Sequence, residues 1–260
     1  MRYLVCSNGD RSEFQFIPEL LEKNIGVELQ GYGLRGVRSP EQWDQVFQQH
    51  KAFRARFDGY LAVHGPFIGV SYCHDDHLFR AAVRKRMDRT YHMAKELGAN
   101  ILILHSGLHS DVRKFEIYPE WIQITASYWK NEIQRYANEG ITVVLENIVD
   151  DTPEFLVRVH DEVDHPNLKL CLDTGHVNVW AKSRIDEWIE AFGDRIGHVH
   201  VHNNNGLSDQ HKGIHEGTLD LEAVLQEIVK VAPETNLSME ILGDAGYLMG
   251  VIESMVNLNV

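Results

Sequence analysis

The stretch ITVVLEN, residues 141–147, is a short run of β-branched and aliphatic residues that leads into a carboxylate, Glu146. Such runs are typical of strands that are buried in a parallel sheet. Seven more runs of this kind occur along the chain, at residues 2–7, 25–30, 60–65, 101–106, 168–174, 196–202 and 237–242. The sequence therefore predicts eight strands.

Amphipathic stretches separate these runs, and the clearest cover residues 76–98, 118–140 and 220–232. The first of them closes on Gly98, and helices commonly end at a glycine. Strands that alternate with helices indicate βα units, and eight such units are the number in a TIM barrel. We find no linker, charge run or low-complexity segment. The sequence therefore predicts an α/β fold, a single (β/α)8 TIM barrel over residues 1–260.

Composition limits the class of protein. The chain has 260 residues, 43% of them hydrophobic, and 38 acidic against 25 basic residues give a formal charge of −13. This charge repels phosphate backbones, so it disfavours nucleic acid as a partner without excluding it. Three scattered cysteines argue against a disulfide framework, and no apolar run approaches the roughly 20 residues of a membrane span. We expect a cytoplasmic protein with no membrane partner, and the sequence is compatible with a homo-oligomer.

Polar residues end the predicted strands. In a TIM barrel the active site lies at the carboxyl ends of the strands. There, the third to eighth strands carry carboxylates or imidazoles, which are His64, His105, Glu146, Asp173, His200 and Glu240. Any one of them alone is more simply a hydrogen-bonded structural group. Six together would repel and lose hydration without a cation, and Zn²⁺, Mn²⁺ or Co²⁺ accepts such mixed ligands. The pattern predicts a divalent metal site.

Two loops extend this set. In CLDTGHVNV, His176 follows Asp173 by three residues, close enough for one turn to bring both to the same centre. In NNNGLSDQHKGIHEGTLD, Asp209 and His211 flank Gln210, and they point the same way if the segment is extended.

With these residues in hand, the chain resembles the xylose isomerase-like TIM-barrel superfamily, which includes sugar isomerases and epimerases as well as endonuclease IV (AP endonuclease family 2). Four ligands common to both branches match Glu146 in VLEN, Asp173 in LDTGH, His200 in HVHVHNNNG and Glu240 in SMEIL. Endonuclease IV relatives add five more ligands and bind three zinc ions, and the matching residues are His64, His105, His176, Asp209 and His211. The resemblance implies a divalent metal, zinc or manganese, with one to three ions per chain.

The loops differ from those of endonuclease IV. The segments HSG, ENIVDD and DTGH depart from that family's pattern, whereas HVHVHNNNG and EGTLD are closer to sugar phosphate isomerase/epimerase relatives. Arg11, Arg35 and Arg38, in the first two strand–helix turns, suit a substrate phosphate as well as a duplex. The loops and the charge together favour a small polar substrate that is sugar-like or phosphorylated.

Two reactions stay open, and we favour the first. In an isomerase or epimerase, one divalent ion would stabilise an enediolate, Glu146 and Glu240 would act as base and acid, and His176 would orient the charged oxygen. In an endonuclease IV-like phosphoesterase, all nine ligands would hold three zinc ions. A non-catalytic metal-binding barrel is a minor third alternative, because every ligand is retained. Nucleophilic Ser/His or Cys/His catalysis finds no support, since no Gly-x-Ser-x-Gly elbow occurs.

Four residues are predicted to contact the substrate. His202 follows His200 in the alternating histidine series and is expected at the mouth with Asn203, while His198 is expected deeper as a packed core group. The other two, Phe67 and Trp180, follow strand ends and would form walls of the pocket. His74, His77 and His109 are weaker candidates for its rim.

Overall fold

The computed structural model describes residues 1–32, 39–67, 69–72, 76–108 and 118–257. Eight parallel strands form a closed barrel in chain order, with the first strand also pairing with the eighth. The strands are β1 (Arg2–Ser7), β2 (Gly26–Leu29), β3 (Leu61–His64), β4 (Ile101–His105), β5 (Thr142–Glu146), β6 (Leu168–Asp173), β7 (Ile196–Val201) and β8 (Asn236–Met239). The predicted (β/α)8 barrel is confirmed.

Helices follow every strand and cover the outside of the barrel. They are α1 (Ile17–Glu22), α2 (Pro40–Arg54), α3 (His77–Leu97), α4 (Tyr118–Ala137), α5 (Glu154–Val163), α6 (Thr174–Trp180), α7 (Ile185–Phe192), α8 (Leu221–Val231) and α9 (Ala245–Asn257). The sequence explains their ends. Asp76 caps α3 by accepting hydrogen bonds from the backbone of Leu78 and Phe79, and Gly98 ends it with a φ of 60°.

The interior of the barrel has two levels of different chemistry. Residues two positions before the predicted ligands lie on the same face of their strands, because side chains along a strand alternate between two faces. Many of these deeper residues are apolar and buried, and they form one cluster: Leu4, Ala62, Ile101, Ile103, Val144 and Cys171. The polar strand ends therefore lie above an apolar floor. A larger apolar cluster lies between the strands and the helices.

The sequence candidates also include four residues whose positions the structure does not describe. Arg35, Arg38, His74 and His109 lie outside the described residues. In the described part of the chain, no helix combines the length and the apolar character needed to cross a membrane.

Candidate metal centre

The strand ends bring the predicted ligands to one edge of the barrel. His105 is paired with Glu146 across β4 and β5, and Asp173 is paired with His200 across β6 and β7. His64 is the last residue of β3, and Glu240 directly follows β8. Closure of the barrel directs these side chains to a common centre.

A central group forms around the imidazole of His200. Its Nδ1 lies 3.1 Å from Oε1 of Glu146, 3.2 Å from Oε2 of Glu240 and 3.5 Å from Oδ2 of Asp173. His200, Asp173 and Glu146 are buried, and Glu240 is 13% exposed. These four are the residues that the sequence predicts as the shared metal ligands.

A second group adjoins the first through Glu146. The other carboxylate oxygen, Oε2, lies 3.2 Å from Nε2 of His64 and 3.4 Å from Nε2 of His105. One carboxylate thus has an oxygen in each of two groups, which is the arrangement of a bridging ligand.

A third group forms where the loop after β7 meets α6. Oδ2 of Asp209 lies 3.0 Å from Nε2 of His211 and 3.5 Å from Nε2 of His176. His211 adopts a positive φ of 49°, an uncommon backbone state for a residue other than glycine. His176 also approaches Oε1 of Glu146, at 3.3 Å, and so connects this group to the central one.

The donor atoms fit a divalent ion. Glu146 Oε1, His200 Nδ1, Glu240 Oε2 and Asp209 Oδ1 are buried, and none of them makes a hydrogen bond with a described residue. Atoms that bind one tetrahedral ion at about 2.0–2.2 Å stand roughly 3.3–3.5 Å from one another. The observed separations match that spacing, and mixed imidazole and carboxylate donors suit zinc, manganese or cobalt.

Most of the clustered histidines are oriented through their second ring nitrogen. Nδ1 of His64, His176 and His211 lies 2.8–2.9 Å from the backbone oxygens of Gly65, Asn147 and Glu240, respectively. Each of these contacts leaves Nε2 directed at the cluster. Hydrogen bonds of this kind fix the tautomer and orientation of metal-binding imidazoles.

For His200 the orienting group is Glu28 on β2, which the sequence analysis missed. Oε1 of Glu28 lies 3.1 Å from Nε2 of His200, and its Oε2 lies 3.0 Å from Nε2 of His198. All three residues are fully buried. The interior position of Glu28, in GVEL of β2, is the only sequence signal that could have marked it. His198 is a packed core group, as expected.

Electrostatics in the cluster reflects closely opposed charges. Burial alone raises the pKa of Glu146, but the charges of His200 and His105 hold it well below its ordinary value. Burial lowers the pKa of His64, yet its contact with Glu146 raises it to about 9. His211 likewise has a pKa of about 9, since burial is outweighed by its bond to Asp209. Protonated imidazoles thus balance the carboxylates where no cation does so, and protons and metal ions compete for these atoms.

A cavity of about 260 Å³ opens onto the cluster. Its walls include Phe67, which stacks on His105 with ring centroids 5.0 Å apart, and Ile148. Gln30 lines it too and donates a 2.7 Å hydrogen bond to Oε1 of Glu240. Trp180 is partly exposed, with its ring 5.0 Å from that of His176, but it is not among the residues that line this cavity, so its role as a wall stays a prediction.

Two predicted substrate contacts need correction. His202 is fully buried, and its Nε2 lies 3.1 Å from Oδ2 of Asp173, beneath the parallel ring of His211 at 4.2 Å. Asn203 is also fully buried, and its amide donates to the backbone oxygens of Ile214 and Leu219. Direct contact with a substrate does not fit either placement, because neither residue has exposed surface or lines the cavity. His202 instead supports the predicted ligand Asp173, and Asn203 anchors the loop that follows β7.

Residues 26–253 match the model of a protein family described as xylose isomerase-like TIM barrel. The chain belongs to this family. A relative in sequence is the uncharacterized protein MJ1311 of Methanocaldococcus jannaschii, which is 25% identical over 204 residues, covering 72% of this chain and 66% of that protein. The chain therefore spans just under two thirds of the relative's length.

Two solved structures share the xylose isomerase-like fold over almost the whole chain. The TTHB071 protein of Thermus thermophilus, from a crystal soaked with ZnCl2, has a TM-score of 0.78 and 23% identity over 99% of this chain and 98% of its own. A D-tagatose 3-epimerase-like protein has a TM-score of 0.75 and 22% identity over the same shares of the two chains. At these identities the likeness concerns the fold, and function has to be argued from the site.

Proposed function

We propose that this xylose isomerase-like barrel is a divalent-metal-dependent enzyme that binds up to three ions and hydrolyses a phosphate ester of a small, sugar-like substrate. The observation that carries the proposal is the position of Glu146. This residue is 1% exposed, with Nε2 of His64 and His105 at one oxygen and Nδ1 of His200 at the other. Such a carboxylate suits a ligand shared by ions better than a base that must reach a substrate carbon.

The residues divide into three metal-binding groups. His64, His105 and Glu146 would hold one ion, and Glu146 with Asp173, His200 and Glu240 a second. His176, Asp209 and His211 would hold a third. When bound, the ions supply Lewis-acid polarisation of phosphoryl oxygens and make a water molecule easier to deprotonate.

The protein's own groups supply positioning and proton transfer. Glu240 is the most exposed of the central carboxylates, at 13%, and only one of its oxygens is held by Gln30. Its Oε2 lies among the ligand atoms of the central group, so Oε1, which keeps a second lone pair beside its bond to Gln30, is our candidate for accepting a proton from the attacking water. Phe67 and Ile148 form apolar walls that limit the entry of bulk water.

Epimerisation or isomerisation of a sugar is the second candidate. A specific feature favours it, because Glu146 and Glu240 approach the same imidazole nitrogen, at 3.1 and 3.2 Å. With one ion on the central group, these two carboxylates would serve as base and acid on a substrate carbon. The likeness to an epimerase-like fold agrees with this reaction. The order of the two candidates is the reverse of the sequence-based preference, because the burial of Glu146 became visible only in the fold.

Elemental analysis of protein purified without chelator or added metal tests the proposal. We expect about three zinc ions per chain, about two in His211→Ala, and at most about one in Glu146→Gln, because Glu146 belongs to two groups. His215→Ala is the matched control, since His215 lies in the same loop, 70% exposed, and its one ion pair with a described residue is with Glu222. That variant should keep all the ions.

Activity assays then separate the two reactions. We expect the as-purified enzyme to release inorganic phosphate from sugar phosphates or p-nitrophenyl phosphate, and His211→Ala to be impaired. A single ion that is indifferent to His211, together with exchange of a keto-sugar carbon-bound proton for solvent deuterium by NMR, would reject hydrolysis and support epimerisation.

A further inference from the structure

A concentration of positive charge lies on α3, in contrast to the rest of the acidic chain. Within ten residues this helix carries five basic residues and one acidic residue, Asp88, while the whole chain has a formal charge of −13. The basic residues are Arg80, Arg84, Lys85, Arg86 and Arg89. Because α3 follows β3, whose last residue is the predicted ligand His64, the helix begins towards the end of the barrel where the metal centre opens, and its basic residues start at the fourth position.

A second cavity, the α3 cavity, lies at the first turns of this helix. It has a volume of about 300 Å³, and the residues that could bind a ligand there are Ser71, Tyr72, His77, Arg80, Arg84 and Tyr128. Oγ of Ser71 is buried and has no hydrogen-bond partner among the described residues. Arg84 forms no ion pair with any residue in the described ranges. The cavity thus combines a cation, Arg84, and a hydroxyl, Ser71, that have no partner within the described residues.

Tyr72 connects the α3 cavity to the metal centre. Its ring lines the cavity, while its hydroxyl donates a 3.4 Å hydrogen bond to the backbone oxygen of His105, a predicted ligand. Gly107 has a φ of 73°, and a Cβ there would lie 2.9 Å from the Tyr72 ring, so the chain after β4 packs closely against this tyrosine. The two cavities are therefore neighbours.

We propose that the α3 cavity is an anion-binding site, separate from the metal centre, that takes the phosphate or a similar anionic group of a small molecule. The site goes beyond the proposed reaction, because its lining shares no described residue with the cavity at the metal centre. Arginine guanidinium groups pair with phosphate oxygens in a fixed, two-pronged geometry, and a hydroxyl such as that of Ser71 completes such a site as a donor.

The neighbouring basic cleft is a weaker candidate. Pro40, Trp43, Lys85, Arg86 and Arg89 line it, but Arg89 lies 2.5 Å from Asp44 and stacks over the ring of Trp43. The positive charge of Arg89 is thus partly neutralised within the protein. An extended polyanion also fits poorly, since the formal charge of −13 repels a long phosphate backbone.

Titration calorimetry with inorganic phosphate, at constant ionic strength, tests the assignment. The variants are Arg80→Gln/Arg84→Gln and the control Arg158→Gln/Arg184→Gln, which removes two positive charges from exposed sites on α5 and at the start of α7. Each protein is titrated as purified, and again after chelation and removal of the chelator. We expect the first variant to bind phosphate about 10–100-fold more weakly at one site, whether or not metal is present, and the control to match the wild type.

The outcomes separate the two proposals. Equal phosphate binding by Arg80→Gln/Arg84→Gln and wild type would overturn the α3 site. Loss of one phosphate site in this variant but not in the control would support the α3 site. If the purified wild type also contains no metal, that result would reject the proposed function and leave the α3 site supported. A short single-stranded oligonucleotide serves as the competing probe. Oligonucleotide binding that is tighter than phosphate binding and falls steeply with salt would overturn the small-molecule assignment.

Discussion

Replacing Glu28 by Gln should weaken metal binding at the central group without any change in a predicted ligand. Glu28 accepts from two imidazoles, at 3.1 Å from His200 and 3.0 Å from His198. A glutamine has only one acceptor oxygen, and its amide nitrogen can only donate. If the oxygen serves His198, the amide donates to Nε2 of His200 and moves that ring's proton to Nδ1. A proton on Nδ1 occupies the position that a metal ion requires.

The magnitude follows from this exchange of tautomers. Loss of a group that orients a metal-binding histidine typically lowers metal affinity 10–100-fold, or about 1.4–2.7 kcal/mol. We expect this loss for one of the three ions. The other two groups should be less affected, because their histidines are oriented by backbone oxygens rather than by Glu28.

Competition with a chromophoric zinc chelator measures the effect. In Glu28→Gln one ion should transfer to the chelator at a 10–100-fold lower chelator concentration than in the wild type. Glu13→Gln is the matched control, since Glu13 is a buried carboxylate that bonds to Ser7 and Gly9 outside the cluster. Circular dichroism confirms that both variants are folded. Identical release curves for wild type and folded Glu28→Gln would refute the reasoning.

Three further predictions concern the scaffold. Gly217→Ala places a Cβ in steric conflict with Oδ1 of Asn203, so urea unfolding should show a loss of about 1–3 kcal/mol, and an unchanged free energy of unfolding would contradict the close packing. Burial lowers the pKa of His50 to about 4, so below pH 6.5 the unfolded chain takes up a proton that the folded one does not, and stability should fall between pH 6.5 and 4 by up to about 3 kcal/mol. His50→Gln should lose this part of the pH dependence in urea melts, whereas equal slopes would speak against a neutral buried His50. Ser39→Ala removes the capping box of α2 and should lower the free energy of unfolding by about 1 kcal/mol, with no effect on bound metal.

The sequence was sufficient to predict the barrel because each strand is marked locally. The run RYLVCS matches β1 at both ends, and the predicted strand at 101–106 differs from β4 by one residue. The polar residues at the strand ends were informative for the same reason. Once eight strands close in chain order, the position of His64, Glu146 or Asp173 along its strand fixes the edge of the barrel at which it lies.

Residues that act through the three-dimensional packing could not be predicted in the same way. Glu28 lies 172 positions from His200 in sequence, and only the barrel brings them together. Alternation along β7 indicates correctly that His198, His200 and His202 share a face, but it contains no information on depth. In the fold, depth decides their roles: His198 meets only Glu28 among the described carboxylates, His200 meets Glu28 and three carboxylates of the cluster, and His202 supports Asp173.

The two levels of the barrel interior explain how a costly cluster can persist in a stable fold. Burying several carboxylates and imidazoles loses hydration that their mutual attraction repays only in part. The apolar floor beneath them, including Leu4, Ile103 and Val144, and the layer between strands and helices bury apolar surface that stabilises the strands. Because this packing does not involve the ligands, it favours the same strand positions whether protons or metal ions balance the charge of the cluster. The centre can therefore stay preformed while protons and metal ions exchange, which the proposed metal-dependent function requires.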